Sequence, residues 1–296
     1  MRQGLKVSLI IPVYNESGKI RACMDNIAGV DGLHEVIFAD GGSTDGTPDI
    51  IGRRYRVLRC GKGRARQMNA AAKEAAGDIL WFSHCDSLLP KDGAEEIIAA
   101  VNAGARFGCF HIGFDYDGPF MGCNTLNSNL RARLWHIAFG DQGIFMDKDL
   151  FFEVNGFPDL PIMEDYELSR IMKRRSEKLY LLPGRIITSG RRYNRCNPII
   201  TMWQMFNLRC LYRRVFGSTV NFFKFGFVRG DRPQIQGYKM TKTGRREPLR
   251  EKSLNRGKFS LQRKASAVLL YYCIYIFYYS SFNICNLNFP NVCVRW

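Results

Sequence analysis

The stretch VSLIIPVYNESGKIRACMDNIAGVDGLHEVIFADGGSTDGT, residues 7–47, decides the fold. Val7 to Val13 is a β-branched, apolar run closed by Pro12 and Asn15, the mark of a strand buried on both faces. From Ser17 to Ala28 the period changes to that of a helix, with Ile20, Cys23, Met24 and Ile27 on one side. Glu35 to Ala39 is a second short apolar run, and it stops at the glycine-rich DGGSTDGT. A strand, a helix and a strand joined by short polar turns form the unit from which parallel sheets are built.

The same alternation continues. Pro48 to Arg54 reads as a helix with Thr47 as its N-cap. Tyr55 to Arg59 reads as a strand, Arg64 to Ala76 as an alanine-rich helix, Asp78 to Ser83 as a strand and Lys91 to Ala103 as a helix. The expected fold is therefore α/β, a mainly parallel sheet flanked by helices. Beyond it, Phe107 to Tyr116 reads as an edge or antiparallel strand. A helix begins the stretch from Asn124, and shorter ones cover Asp147 to Glu153 and the residues after Glu164. Leu179 to Pro183 and Ile186 to Ser189 read as two short strands, and Ile199 to Val215 as a long amphipathic helix.

Each of the early strands ends in polar residues: Asn15 and Glu16, then Asp40, then His84 to Asp86. Ligands of open α/β sheets bind beyond the carboxyl ends of their strands, so these residues mark the expected site. In DGGSTDGT the Asp40 carboxylate can accept hydrogen bonds from a base or a ribose hydroxyl, or it can bond the amides of its own turn. In CGKGRARQMNAAA, residues 60–72, a basic turn opens a helix. Its amides and Arg64 suit a phosphate, or it is an ordinary solvated helix start. In SHCD, residues 83–86, Asp86 offers hard oxygens to Mg²⁺ or Mn²⁺ held together with substrate phosphates. Strand alternation would turn Cys85 away from His84 and Asp86 and into the core. Glu164 and Asp165 precede an apolar helix face, where they either complement the helix dipole or serve as a general base.

In their order and spacing VSLIIPVYNES, FADGGSTDGT, GDILWFSHCDSLLP and MEDYELSRIMKRR resemble the family 2 glycosyltransferases of the GT-A fold. The likeness runs over about residues 5 to 216. GRARQMNAAA and GDQGIF further resemble the branch often labelled radical-SAM/selenodomain-associated glycosyltransferase. The resemblance implies a Rossmann-like mixed sheet and an inverting transfer of one sugar from a nucleotide-diphosphate donor to a hydroxyl acceptor. It implies that Glu16 and Asp40 hold the nucleoside and that Arg64 contacts the nucleotide. Asp86 would hold the metal, Asp165 or Glu164 would be the base, and Asp141 and Gln142 would line the acceptor side. Two departures stand out. Asp40 is followed by Gly41 where the family pairs two acids, and His84 occupies the place of the first acid of the metal motif. The QxxRW motif of processive members is missing, although Arg191 and Arg192 suit the diphosphate. The rival readings are a nucleotidyltransferase and a non-catalytic nucleotide-sugar-binding protein.

Composition agrees with an enzyme that handles anions. The chain has 296 residues, 46% of them hydrophobic, and a formal charge of +16. That is enough apolar matter for a core, with a balance that favours acidic partners. No nucleic-acid motif appears. Ten cysteines contain no CxxC pair, and the apolar run near the N-terminus is too short for a secretory signal. The expected setting is cytoplasmic. Residues 1–228 read as the catalytic domain and 229–264 as a basic, poorly ordered linker. Residues 265–296 read as a hydrophobic tail. Within it Ala265 to Phe282 has five tyrosines and no charge. The tail is either an anchor on the cytoplasmic face of a membrane or an aberrant extension.

Overall fold

The computed structural model describes residues 4–115, 119–189, 212, 221–225, 235–240 and 246–248. The chain divides into two compact units, residues 1–201 and 202–296. The first unit is built on an eight-stranded sheet. Its strands are β1 (Val7–Val13), β2 (Leu33–Asp40), β3 (Arg56–Arg59), β4 (Ile79–Phe82), β5 (Ser87–Leu88), β6 (Phe107–Phe114), β7 (Phe145–Asp147) and β8 (Leu179–Thr188). Their spatial order is β3-β2-β1-β4-β7-β6-β8-β5. β3, β2, β1 and β4 run parallel, and β7 runs antiparallel to both of its neighbours. From β1 the chain steps outward through β2 to β3 and then crosses back to β4 on the other side of β1, so the switch point lies between β1 and β4.

Helices cover both faces. They are α1 (Ile20–Ile27), α2 (Thr47–Ile51), α3 (Arg64–Glu74), α4 (Gly93–Asn102), α5 (Pro119–Trp135), α6 (Lys148–Glu153) and α7 (Glu164–Arg174), with a 3-10 turn at Gly140–Gln142. Side chains of β1 alternate between two cores. Ile10 packs with Met68, Leu80, Phe107, Phe151 and Leu168, the core under α3, α6 and α7. Leu9 and Ile11 pack with Met24, Phe38, Trp81 and Ile97, the core under α1 and α4. All four residues of β4 are buried, as expected of a parallel strand covered on both sides.

Three expectations need correction. β6 is an interior strand: it runs antiparallel to β7 but parallel to β8 over its whole length. The two short strands expected after Leu179 are one strand. Its pairing jumps from Phe110 with Leu182 to His111 with Arg185, so Pro183 and Gly184 bulge out of the ladder. The freed Gly184 N–H donates to Glu96 Oε2 at 2.8 Å, which keeps the bulge satisfied. Finally, α2 is a single short turn. Gly46, at φ 81°, precedes it, and Thr47 is its first residue rather than its cap.

In the second unit β9 (Asn221–Phe225), β10 (Ile235–Met240) and β11 (Arg246–Pro248) form a three-stranded antiparallel sheet. The helix expected over Ile199–Val215 falls outside the described residues except for Tyr212, which is helical and buried. The tail from 265 and most of the basic segment fall outside them as well. Among the described residues no helix is long and apolar enough to cross a membrane.

The tightest point of the sheet lies where β6 crosses β7. A Cβ on Gly108 would overlap the Phe145 ring and the Tyr180 carbonyl oxygen. Gly108→Ala is expected to cost about 1–3 kcal/mol, the usual penalty for overpacking a core. Urea unfolding checks this, with a lowered midpoint and an unchanged slope.

Candidate active site

The ends of β1 and β2 are held together by one side chain. Gln67, buried on α3, donates from Nε2 to Val13 O at 2.8 Å and to Ala39 O at 2.7 Å. Its Oε1 accepts from Gly63 N at 3.3 Å. A Cβ on Gly41 would come within 3.1 Å of this amide. A glycine after Asp40 therefore fits the brace, where the family's second acid would crowd it.

The two loops beyond these strands are laced to each other. Asn15, at φ 53°, donates its N–H to Ser43 Oγ at 2.8 Å, and Thr44 N returns to Asn15 Oδ1 at 2.9 Å. Glu16 N reaches Thr47 Oγ1 at 2.9 Å, and Ser17 N reaches Asp45 Oδ2 at 2.9 Å. Asp40 is buried, and its carboxylate accepts from Gly42 N, Ser43 N and the Ser43 hydroxyl. Of the two readings open for Asp40, the structure shows the turn: its oxygens shape the loop. Around Asp45, burial works to raise the pKa. The hydrogen bonds from Thr47 and Ser17 outweigh it and hold the carboxyl at about 2, below its ordinary 3.8.

β4 ends at Phe82, and His84–Asp86 already belong to a turn closed by Ser87 N on His84 O at 3.2 Å. The alternation argument for Cys85 therefore fails at its premise, because the chain has left the sheet. Cys85 packs against the core under α1 all the same. Burial pushes its thiol far up, with the Glu16 and Asp86 carboxylates adding to the shift, so it is no nucleophile. The same two acids add to the burial that pushes the Cys23 thiol up to about 12. Glu16 follows the end of β1 and Asp86 follows the end of β4, the two strands on either side of the switch point. Asp86 is exposed there, while Glu16 is half-buried with Lys19 Nζ at 3.7 Å. No group of three metal-capable side chains forms among the described residues. An exposed carboxylate at the switch point still fits a Mg²⁺-type ion, which takes one or two protein carboxylates and completes its shell with phosphate and water.

Opposite this edge lies the start of α7. Asp165 Oδ2 accepts from Gly140 N and Oδ1 from Tyr166 N, both at 2.7 Å. A Cβ on Gly140 would sit 2.7 Å from His84 Nε2 and 3.4 Å from Asp165 Oδ2. The strand-end histidine and the helix-start aspartate therefore flank one glycine. Glu164 points elsewhere. It is buried, and its Oε1 meets Arg64 Nε at 2.6 Å. Burial raises the Glu164 pKa while Arg64 opposes that rise. Gln142 is fully buried as well, accepting from Arg131 Nη2 at 2.8 Å and donating to Phe110 O at 3.4 Å. It braces the 3-10 turn that carries Gly140 and Asp141, rather than lining an open surface. Arg191 and Arg192 lie outside the described residues.

Residues that the sequence reading passed over tie the base loop to α3. Arg66 forms two bonds to Asp159, at 2.9 and 3.0 Å. Asn69 brackets the backbone of Phe157, donating to its carbonyl at 2.7 Å and accepting its N–H at 2.9 Å. Gln67, Arg66 and Asn69 all lie in the GRARQMN run. A polar cluster inside an alanine-rich helix was the signal that could have found them.

Gln67→Ala would strip a donor from two carbonyls in the buried strand ends. The expected cost is about 1–3 kcal/mol of stability, read by thermal unfolding. Asp45 makes a pH prediction. Its folded-state pKa lies below the unfolded value, so protonation favours the unfolded chain. Its contribution is complete above about pH 4 and fades as the pH falls towards about 2. Asp45→Asn should flatten that part of the stability–pH curve and leave neutral pH less affected.

Residues 8–133 match the model of glycosyl transferase family 2. A stretch of 119 residues is 27% identical to the putative glycosyltransferase EpsH of Bacillus subtilis, covering 34% of each chain. Another of 104 residues is 34% identical to a PGL/p-HBAD biosynthesis glycosyltransferase of Mycobacterium tuberculosis, covering 32% of this chain and 41% of that one. The chain thus spans only about a third of the length of the relatives it matches. Among solved structures it superposes on the mannosyltransferase PcManGT from Pyrobaculum calidifontis, in complex with GDP-Man and Mn²⁺. The TM-score is 0.51 at 21% identity, over 71% of this chain and 62% of that one. It superposes on S. aureus TarS 1–349 in complex with UDP-GlcNAc with a TM-score of 0.51 at 18% identity, over 63% and 59%. The fold is that of the GT-A glycosyltransferases, and residues 8–133 are similar to glycosyl transferase family 2.

Proposed function

We propose that the chain is an inverting glycosyltransferase that moves one sugar per turnover from a nucleoside-diphosphate donor to a hydroxyl acceptor. One observation carries this reading. Asp165 is held by two backbone N–H groups beside His84, on the turn that carries Asp86 beyond the end of β4. A base on one side of a phosphate-binding crevice is what displacement at an anomeric carbon needs.

The reaction balances simply. An acceptor hydroxyl oxygen bonds to the anomeric carbon from the face opposite the diphosphate. The bond from that carbon to the diphosphate oxygen breaks and its electron pair leaves with the nucleotide. The hydroxyl proton passes to Asp165. Glu164 is set aside as the base because Arg64 occupies its one partnered oxygen. Arg64, half-exposed at the rim, is placed to face the donor's phosphates from the start of α3. Asp86, with Glu16 nearby, would hold Mg²⁺ or Mn²⁺, whose charge offsets that of the leaving diphosphate. Asp141 lies on the turn below the acceptor, and Arg191 and Arg192 remain candidates for the diphosphate. The GRARQMN and GDQGIF runs build the clasp and the turn of this site, which supports membership of the radical-SAM/selenodomain-associated branch. A cytoplasmic setting follows from the donor, which cells keep there.

Incubation with UDP-, GDP- and dTDP-sugars separates the rivals. Release of the nucleoside diphosphate supports this reading, and release of pyrophosphate supports a nucleotidyltransferase. Asp165→Asn should lower kcat by roughly 10²–10⁴-fold, the usual share of a general base. The amide would set an N–H against one backbone donor, so a loss of about 1 kcal/mol in stability should accompany it. Asp86→Ala should abolish the dependence on added Mn²⁺ along with most turnover. Full turnover in both variants would sink the assignment, and donor binding with no product release would leave a binding protein.

A further inference from the structure

α5 buries mostly polar side chains: Asn124, Ser128 and Arg131 point inward, beside the apolar Met121 and Ala132. Asn129 clasps the backbone of Ile112, accepting its N–H at 2.9 Å and donating to its carbonyl at 3.3 Å. Arg131 lies over the Phe139 ring at 4.1 Å and donates to Ile137 O and Gln142 Oε1. The exposed side chains include Asn127 and Arg133, but four large apolar ones dominate. Leu126 is 61% exposed, Leu130 38%, Leu134 60% and Trp135 54%. Leucines four residues apart share one face, so they form a stripe about 12 Å long that ends in an indole. A helix on a soluble surface normally shows the reverse pattern, and a clustered apolar face of this kind marks an interaction site.

Charge tells which partner fits. α5 contains no Asp or Glu, and Arg133 is exposed beside the stripe. Lys173, in the last turn of α7, donates to Trp135 O at 3.3 Å and makes no ion pair among the described residues. The rim of the stripe is therefore basic, in a chain of net charge +16. A second copy of this face would set Arg133 against another basic rim with no acid on the helix to offset it. A bilayer with anionic headgroups supplies both an apolar layer for the leucines and the opposite charge for the rim. An indole at the end of the stripe suits the boundary between the two. At 17 residues α5 does not span a membrane, so the geometry is that of a helix lying in the interface.

From this we infer that α5 docks the protein flat onto an anionic lipid bilayer through Leu126, Leu130, Leu134 and Trp135. Docking does not depend on the sugar-transfer reading and can fail or hold apart from it. The test uses the full chain and sedimentation with vesicles of equal parts phosphatidylglycerol and phosphatidylcholine, beside vesicles of phosphatidylcholine alone. The parent protein should bind the anionic vesicles at least tenfold more tightly, and 0.5 M salt should weaken that binding. The variant Leu126→Gln/Leu130→Gln/Leu134→Gln should bind at least tenfold more weakly, with a melting temperature within a few degrees of the parent. Arg133→Glu/Lys173→Glu should lose the preference for anionic vesicles while leaving the leucines in place. Quenching of tryptophan emission by brominated lipid should fall in Trp135→Phe. Unchanged binding by the leucine variant overturns the inference and moves the contact elsewhere, for instance to residues 265–282. A parent that ignores the vesicles also overturns it. So does a parent that is dimeric in light scattering while the leucine variant is monomeric and binds vesicles equally well.

Discussion

The two hydrogen bonds from the Gln67 amide to Val13 O and Ala39 O are the constraint on which the crevice depends. Val13 O also accepts Gly41 N at 3.0 Å, and a buried carbonyl left wholly unmet would cost about 1–3 kcal/mol. Gln67 meets both from α3, which fixes the separation of the strand ends from which the Asn15–Ser17 and Gly41–Thr47 loops depart. The loops then lock each other through Asn15, Ser43, Thr44 and Thr47. α3 also holds the other wall, through Arg64 on Glu164, Arg66 on Asp159 and Asn69 on Phe157. One helix thereby sets the width of the crevice: its Gln67 fixes the strand-end edge, and its other polar residues fix the loop that ends at Asp165.

The acids of the site are sorted by what they touch. Asp40 and Asp45 belong to the loops that they cap, and each has several donors. Glu16 and Asp86 follow the ends of β1 and β4, Glu16 half-buried beside Lys19 and Asp86 exposed. Glu164 is neutralised by Arg64 in a buried place. That pairing has a structural logic of its own: a buried carboxylate beside an arginine is strongly destabilising if either partner is removed, so the pair pins the start of α7 to α3.

The alternating part of the fold was legible because parallel strands covered on both faces must be apolar throughout, while the helices beside them keep a 3.6-residue period. β1, β2, β4 and α1 follow that rule, and their boundaries shift by only a few residues. Legibility fell where the rule gives way. β7 is three residues long and leaves almost no pattern, which hid the antiparallel return that turns β6 into an interior strand. Pro183 and Gly184 read as a break because the sequence does not show that Glu96, 88 residues away, satisfies the bulge. The polar residues after the strand ends were legible because they have no packing reason to be there. Gln67 and Asn69 were hidden for the opposite reason: a buried amide that bonds to backbone looks in sequence like an exposed one. Gln142 shows the same effect in reverse, a polar residue expected at a surface and found as a strut.

The choice between two adjacent carboxylates at the start of α7 follows from helix geometry. Neighbours on a helix point about 100° apart, so Glu164 and Asp165 cannot both face the crevice. Met163, held at φ 67°, begins the helix in the rotation that turns Glu164 towards α3 and Asp165 towards Gly140. Gly140 is required on that side, since any side chain there would collide with the His84 ring. The 3-10 turn that presents Gly140 is in turn held by Gln142, which Arg131 of α5 grips from behind. The inward polarity of α5 is therefore the end of a chain of support that begins at Asp165. A helix that braces this turn through Arg131 and clasps β6 through Asn129 leaves Leu126, Leu130, Leu134 and Trp135 on its outside, where a second, apolar environment can receive them.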